Sequence, residues 1–410
     1  MDLLTLYSGL LLPWFAGTLW LIFAESQLAH STRPNRFRQV GYGFFLGYAV
    51  LFLAIMSANK LTGAVSWPGL MWFFLALSVG GGIAIRFVRR PASLTKPGGS
   101  IPASAASKAF TLLLLVWMGI HLLFFTVEIF TQPLFPWDAW TVWAYRAKAW
   151  FLSGGITEVV SPASWLTATS TDTFTSAAWS YPLLTSIITY WTALSLGAWS
   201  ETLINLPTLF LGMAMGMALF GQCRESGFSV TTSLLCCYML YSIPLFGNHI
   251  ALAGYADIWL AGFTGLGFVA LLRALSMDKT DGSVALQLVL GLVMTGLAIL
   301  VKFEGLIWFL TALAMLTLLK SRPRILLWLT LTVSVALIVG IFLVVALDIN
   351  SVRIPLIGIL RYADGQLTIP FIGRVTLEAH NIWGSYLKNF FIMGNWNLLW
   401  VLVLASTVLS

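Results

Sequence analysis

Long runs of apolar residues dominate the chain, and short polar segments separate them. A membrane-crossing helix needs about 20 predominantly apolar residues, and most of these runs have that length. The pattern predicts an all-α fold, a polytopic transmembrane helical bundle of about eleven spans. The predicted spans are residues 3–24, 41–59, 68–86, 109–130, 201–222, 229–250, 257–275, 284–301, 304–320, 325–346 and 391–409.

Two segments, 131–200 and 347–390, interrupt this pattern and are predicted not to span the membrane. In the first, apolar residues recur at helical spacing, which predicts an amphipathic helix in the membrane interface; they are Trp140, Trp143, Ala147, Trp150 and Phe151. Residues 181–197 are apolar enough to form a further span. We expect an embedded or interfacial helix there, because a span would place Arg224 and the 320–324 cluster outside.

The stretch 91–108 is rich in Pro, Gly, Ser and Ala, a composition typical of flexible linkers. It predicts an N-terminal three-helix membrane unit at 1–95, a cytoplasmic linker at 96–108 and a larger membrane module at 109–410. The chain shows no internal repeat, which counts against a transporter built from inverted repeats.

The composition supports the membrane assignment. Hydrophobic residues make up 59% of the chain and charged residues 9%, whereas soluble domains carry about 25% charged residues. The net charge of +7 does not indicate nucleic-acid binding, because the basic residues are scattered among short loops. Their bias toward alternate loops follows the positive-inside rule and predicts an external N-terminus, with 131–200 and 347–390 also external. We therefore expect a multi-pass protein of the plasma (inner) membrane with its site facing the exterior.

Two aspartates are the first candidates for chemistry. Asp138 lies just beyond the outer end of the 109–130 span, and Asp257 lies at the outer junction of two predicted spans. An ionisable side chain at membrane depth is costly and is therefore a functional candidate. For both aspartates, a helix cap is the alternative interpretation.

Lys302 and Glu304 interrupt an otherwise continuous apolar stretch, which predicts a tight outer turn. A simple charged hairpin is the alternative. Glu128, near the outer end of its span, is a weaker candidate that either snorkels or lines a cavity. The sequence contains no metal-ligand spacing and no Gly-rich phosphate loop, so a nucleotide-driven mechanism is not expected.

Four motifs together resemble the glycosyltransferase C superfamily, in particular polyprenyl-phosphate-sugar-dependent enzymes related to protein O-mannosyltransferases and lipid A aminoarabinose transferases. PWDAWTVWAYRAKAW resembles the first external loop of that family, and YPLL resembles the Tyr-Pro-Pro-Leu segment that ends the loop. GYADIWLA resembles the second external loop, and LVKFEGL resembles a Thr-Lys-x-Glu-Gly turn. The order and separations agree over about 109–410. Leu183 replaces the second proline, and Asp257 stands alone where oligosaccharyltransferases carry a paired acidic motif.

The resemblance implies transfer of a sugar from a polyprenyl-phosphate donor to a lipid, glycan or protein acceptor outside the membrane. It implies that Asp138 is the general base and that Asp257 orients the acceptor or nearby cations. Arg146, Lys148 and Lys302 are then the candidates for binding the donor phosphate. Glu128, Tyr181 and Glu304 are expected to line the cavity. No cofactor is assigned, and the lone Asp257 gives a divalent metal no support.

Two other function classes remain open on the sequence alone. A secondary transporter or flippase would use Asp257, Glu128 and Lys302 as an ion relay. An O-antigen ligase-like or polymerase-like enzyme would use an external loop rich in Arg and His. The segment 347–390 supplies such residues, namely Arg353, Arg361, Arg374 and His380.

Overall fold

The computed structural model describes most of the chain. The described residues are 3–27, 34–87, 104–170, 173–176, 178–277, 283–320, 335, 351–354, 358–363, 366–369, 373–376 and 381–409. They form two compact units, Met1–Phe309 with Met393–Ser410, and Leu310–Ile392.

Helices make up nearly all of the regular structure. The α-helices are α1 (Leu3–Ser26), α2 (Arg36–Thr62), α3 (Trp67–Phe87), α4 (Ala105–Thr131), α5 (Ala144–Ser153), α6 (Pro162–Thr167), α7 (Leu184–Leu196), α8 (Leu206–Glu225), α9 (Val230–Tyr241), α10 (Pro244–Ala251), α11 (Asp257–Ser276), α12 (Ser283–Leu297), α13 (Glu304–Lys320), α14 (Trp383–Leu387) and α15 (Leu399–Leu409). Short π-helical turns lie at Ala139–Trp143 and Lys388–Ile392, and 3-10 turns lie at Leu203–Asn205 and Ala298–Leu300. Two short strands, β1 (Val159–Val160) and β2 (Phe174–Thr175), pair in parallel.

Seven helical segments among the described residues are long and apolar enough to cross a membrane. They are Leu3–Ser26, Arg36–Thr62, Trp67–Phe87, Ala105–Thr131, Leu203–Glu225, Asp257–Ser276 and Ser283–Leu300. Helices α9 and α10 add an eighth if this pair, which is bent by 66°, counts as one span. The chain is therefore a multi-pass membrane protein.

The predicted total of eleven spans is not reached among these residues. The runs 304–320 and 391–409 form only shorter apolar helices, α13 and α15, and 325–346 lies outside the described residues except for residue 335. Most of the predicted linker 96–108 also lies outside them, and α4 already begins at Ala105. The first three helices belong to the same compact unit as α4–α12.

The segment 351–376 departs from the all-α prediction. Strands β3 (Ser351–Ile354), β4 (Gly358–Ala363), β5 (Gln366–Ile369) and β6 (Gly373–Thr376) form an antiparallel sheet in sequence order. Ser351 pairs with Arg361, and Arg361 with Thr368. Polar and aliphatic residues alternate in SVRI and QLTI, a period of two that is typical of strands.

The aromatic stripe of α5 lies against protein, contrary to the predicted interfacial helix. Trp143 and Trp150 are buried, whereas Trp140 is exposed. The stripe packs on α7, a 13-residue helix whose side chains are mostly buried. Thirteen residues span only about 20 Å, short of the ~30 Å hydrocarbon core, so the length of α7 agrees with the prediction that it does not cross.

Helices α1 and α2 approach closely because glycines on each helix face the backbone of the other. A Cβ on Gly47 would lie 2.0 Å from the Pro13 carbonyl oxygen, and one on Gly17 would lie 2.2 Å from the Gly43 oxygen. Small residues of this kind bring transmembrane helices into contact. The α1–α2 pair therefore depends on positions that accept no side chain.

A buried ionic network joins the C-terminal end of α1 and the N-terminal end of α2 to the C-terminal ends of α8 and α11. Arg38 donates from Nη1 to Glu25 at 2.6 Å and from Nε to Glu225 at 2.9 Å. Arg273 also pairs with Glu225 and donates to Gln222 at 2.9 Å. The sequence predicts its basic residues in short loops, but Arg38 and Arg273 lie on helices α2 and α11 and pair with carboxylates there.

Gly47→Ala is expected to destabilise the protein by about 1–3 kcal/mol or more, because the new methyl group meets backbone that cannot move aside. Unfolding of the purified protein in detergent micelles measures the effect. Gly82→Ala is the matched control, since a Cβ at that helical glycine meets nothing within 4 Å. Equal stability of the two variants would contradict the role of the close contact.

Glu225→Gln is expected to cost about 3–5 kcal/mol, because it leaves Arg273 buried without its charged partner. Glu201→Gln is the control: its 2.7 Å pair with Lys148 is half-exposed and should contribute no more than about 1 kcal/mol. The same unfolding assay compares them, and a small effect at both positions would show that the network does not stabilise the bundle.

Candidate functional site

A second charged cluster lies at the other end of α11. Asp257 is the first residue of that helix, and the Oδ1 atom of its side chain lies 2.9 Å from Lys302 Nζ. The Lys302 side chain is 14% exposed and that of Asp257 is 45% exposed. The structure thus brings together two residues predicted from separate motifs, in an ion pair that remains open on one side.

The turn that carries Lys302 and Glu304 is shaped by Gly305. The Gly305 amide donates to the Lys302 carbonyl at 2.9 Å. A Cβ at this glycine would lie 2.2 Å from the Ala298 carbonyl oxygen. The glycine of the KFEG motif therefore lets α13 begin directly against the end of α12, which holds Lys302 beside α11.

Tyr181 lies over this turn. Its ring centroid is 5.4 Å from that of Phe303 and 5.6 Å from that of Trp143. Burial raises the pKa of its phenol, and the neighbouring negative charge of Glu304 raises that pKa further. The Oε2 atom of Glu304 is buried and has no hydrogen-bond partner among the residues that the structure describes. Tyr181, Lys302, Glu304 and Asp257 therefore form one cluster, named here the Asp257 cluster.

Arg146 is completely buried and donates to the backbone carbonyls of Tyr181, at 2.9 Å, and of Ala178. Burial lowers the pKa of its guanidinium to about 10. Within the described part of the chain it forms no salt bridge. Its geometry suits a positioning residue that fixes the Tyr181 segment, and gives its predicted role as a phosphate ligand no support.

Lys148 lies apart from the Arg146 side chain on the exposed face of α5. Its ammonium pairs with Glu201 at 2.7 Å and lies 5.5 Å from the centre of the Trp199 ring. Of the three cations predicted to bind phosphate, Lys302 is the one that the structure places in the Asp257 cluster.

The segment that carries Asp138 packs against the segment that leads into Asp257. A Cβ on Gly254, three residues before Asp257, would lie 2.5 Å from the Ala139 Cβ atom. The two segments therefore contact each other. Asp138 is half-buried, and its side chain makes no capping hydrogen bond, so the helix-cap interpretation is not observed. Glu128 is half-buried on α4.

The sequence did not indicate Asn59, Glu158 and Trp179, which line a cavity beside Tyr181. They come from α2 and from two parts of the 131–200 segment, so no local spacing connects them. The candidate arginines of the predicted ligase-like loop, Arg353, Arg361 and Arg374, lie on strands β3, β4 and β6. His380 lies outside the described residues.

Fold and site together define a multi-pass helical membrane protein with a partly exposed charged cluster at one end of its bundle. No group of three or more His, Cys, Asp or Glu side chains in the described ranges could hold a metal ion. Comparisons with protein-family models, curated proteins and solved structures find no match to this chain. The functional argument therefore rests on the residues themselves.

The Asp257–Lys302 pair shifts the pKa of Lys302, which can be tested by titration. Burial alone would lower the pKa of Lys302, but the hydrogen bond and the charge of Asp257 outweigh it and raise that pKa. The pair therefore stabilises the fold up to the ordinary lysine pKa of about 10.4, and this contribution is lost as pH rises through the higher folded value.

In the Asp257→Asn variant the pKa of Lys302 should fall, because burial is then opposed by weaker interactions. NMR of isotope-labelled dimethyl-lysine measures it, with Lys302→Arg identifying the signal. Glu201→Gln, which removes the partner of Lys148, should leave the Lys302 titration unchanged. An unaltered titration in Asp257→Asn would refute the coupling.

Proposed function

We propose that the protein is a membrane glycosyltransferase that moves a sugar from a polyprenyl-phosphate donor to an acceptor outside the membrane. The observation that carries the proposal is the open Asp257–Lys302 pair, with the Asp138 segment packed against the loop that leads into Asp257. It supports the resemblance because the acidic and basic residues of three separate motifs converge at one end of the helices.

The physical state of such a donor fits this location. The isoprenoid chain of the donor stays in the bilayer, so its phosphate and sugar lie at the membrane surface. Helix ends are where a membrane protein presents charged groups to that surface at the lowest desolvation cost. An apolar groove of about 760 Å³ between α1 and α3, which includes Leu4, Phe15, Trp67 and Met71, is suited to a lipid chain.

The transfer requires a base and a cation. Asp138 accepts the proton of the acceptor hydroxyl while the acceptor oxygen bonds to the anomeric carbon of the sugar. The bond between that carbon and the phosphate oxygen breaks, and the lipid phosphate departs with its electron pair and the added negative charge. Lys302 stabilises this charge. Asp257 orients Lys302, and Arg146 acts indirectly by fixing the segment of Tyr181.

Asp138→Asn and Asp257→Asn should each reduce transfer. Loss of a general base lowers rates by about 10²–10⁴-fold, so the larger effect is expected at Asp138. The assay follows labelled sugar from polyprenyl-phosphate donors, including mannose and aminoarabinose derivatives, into envelope acceptors with full-length protein in vesicles. Thr141→Ala, on the same turn as Asp138, should retain activity. Wild-type transfer by both aspartate variants, with normal folding, would refute the proposal.

A transporter or flippase is the second candidate, favoured by the 66° break between α9 and α10. Discontinuous helices form the binding sites of many transporters. Here the break is occupied by backbone and amide groups: Asn397 donates to the Ser242 carbonyl, and Leu245 donates to the Asn395 carbonyl at 3.2 Å. Movement of a lipid-linked sugar across vesicles without covalent transfer would favour this candidate.

A further inference from the structure

A cavity of about 490 Å³ with both polar and apolar lining residues lies beside Tyr181. Its lining includes Asn59 from the C-terminal end of α2 and groups from two stretches of the 131–200 segment, namely Thr157, Glu158, Trp179, Ser180 and Tyr181. The volume falls within the range of about 300–1,000 Å³ that is usual for small-molecule sites. Apart from Tyr181, which also belongs to the Asp257 cluster, none of these residues takes part in that cluster or in the buried ionic network.

The walls of this cavity are held in place by buried hydrogen bonds. Trp150 donates from its indole nitrogen to the Thr157 carbonyl at 2.8 Å. Arg146 donates to the carbonyls of Ala178 and Tyr181, which flank the lining residues Trp179 and Ser180. Strand β1, whose Val159 lines the cavity, pairs with β2. A cavity formed in advance binds its ligand without the entropic cost of ordering loops.

The chemistry of the lining selects a class of ligand. Trp179 is 41% exposed and offers an aromatic face on which the C–H groups of a sugar ring pack. Glu158, Asn59 and Ser180 offer a carboxylate, an amide and a hydroxyl for hydrogen bonds with ligand hydroxyls. The described lining contains one carboxylate and no Lys, Arg or His, so a phosphate or another anion would be repelled.

We propose that this cavity binds a glycan ring that is uncharged or carries an amino group. Resting on the proposed function, we assign it as the subsite for the acceptor, because the donor phosphate belongs beside Lys302. Tyr181 is shared by the cavity and the Asp257 cluster, so a ring held against it lies next to the reacting groups. Asn59 lies on α2, outside the region 109–410 that resembles the family. The N-terminal helices therefore contribute a lining residue to this subsite.

The test of binding uses full-length protein in a detergent that lacks a sugar headgroup. Saturation-transfer NMR is recorded with glucose, glucosamine and glucose 1-phosphate as probes. We expect signals from glucose and glucosamine, and none from glucose 1-phosphate once Lys302→Gln has removed the proposed donor-phosphate site. Trp179→Ala should weaken binding at least tenfold, and Glu158→Gln should remove any preference for glucosamine over glucose.

Trp165→Ala is the matched control, because Trp165 is 46% exposed in the same segment and is absent from the cavity lining. Its binding should equal that of the wild type. Melting temperatures establish that each variant is folded. The inference is overturned if the wild type binds no sugar, if Lys302→Gln still prefers glucose 1-phosphate, or if both tryptophan variants lose binding equally.

A second arm separates this inference from the proposed function. Asp257→Asn should retain sugar binding while transfer is lost. Binding by a protein without transferase activity would support the cavity and refute only the transferase proposal. If transfer occurs and its dependence on acceptor concentration is unchanged in Trp179→Ala, the assignment as an acceptor subsite is wrong.

Discussion

An unpaired charge in the low-dielectric interior of a helical bundle costs several kcal/mol, and this cost governs where charged side chains lie in the protein. The completely or nearly completely buried carboxylates Glu25 and Glu225 have arginine partners within the same network. Arg146, which has no carboxylate partner in the described ranges, instead donates to two backbone carbonyls. Each arrangement also ties together segments that are distant in sequence.

Helix α11 shows how the same constraint produces two different kinds of site. Near its C-terminal end, Arg273 pairs with Glu225 inside a closed network whose side chains are almost inaccessible. At its N-terminus, Asp257 pairs with Lys302 but keeps much of its carboxylate exposed. About 16 residues of helix, roughly 24 Å, separate the two. The closed network suits a structural role, whereas the open pair is available to a ligand.

The chemically distinctive residues could be selected from the sequence, but their relations could not. Asp257, Lys302 and Glu304 are distinctive in the sequence because charge is rare within or beside apolar runs. The structure brings them together with Tyr181. Arg146 and Lys148 are only two residues apart, yet one is buried against backbone and the other is exposed beside Glu201. Sequence spacing on α5 did not show which face α7 would cover.

The sequence by itself determined that this is a multi-pass membrane protein, because local hydropathy follows from composition over about 20 residues. Only the tertiary structure decided the partners of those charges. It placed Arg38 and Arg273 in a buried network, packed Trp143 and Trp150 inside the protein while Trp140 stayed exposed, and formed strands within 351–376. It also assembled the cavity of Asn59, Glu158 and Trp179. These outcomes depend on contacts between residues far apart in the chain, and a local pattern carries no information about them.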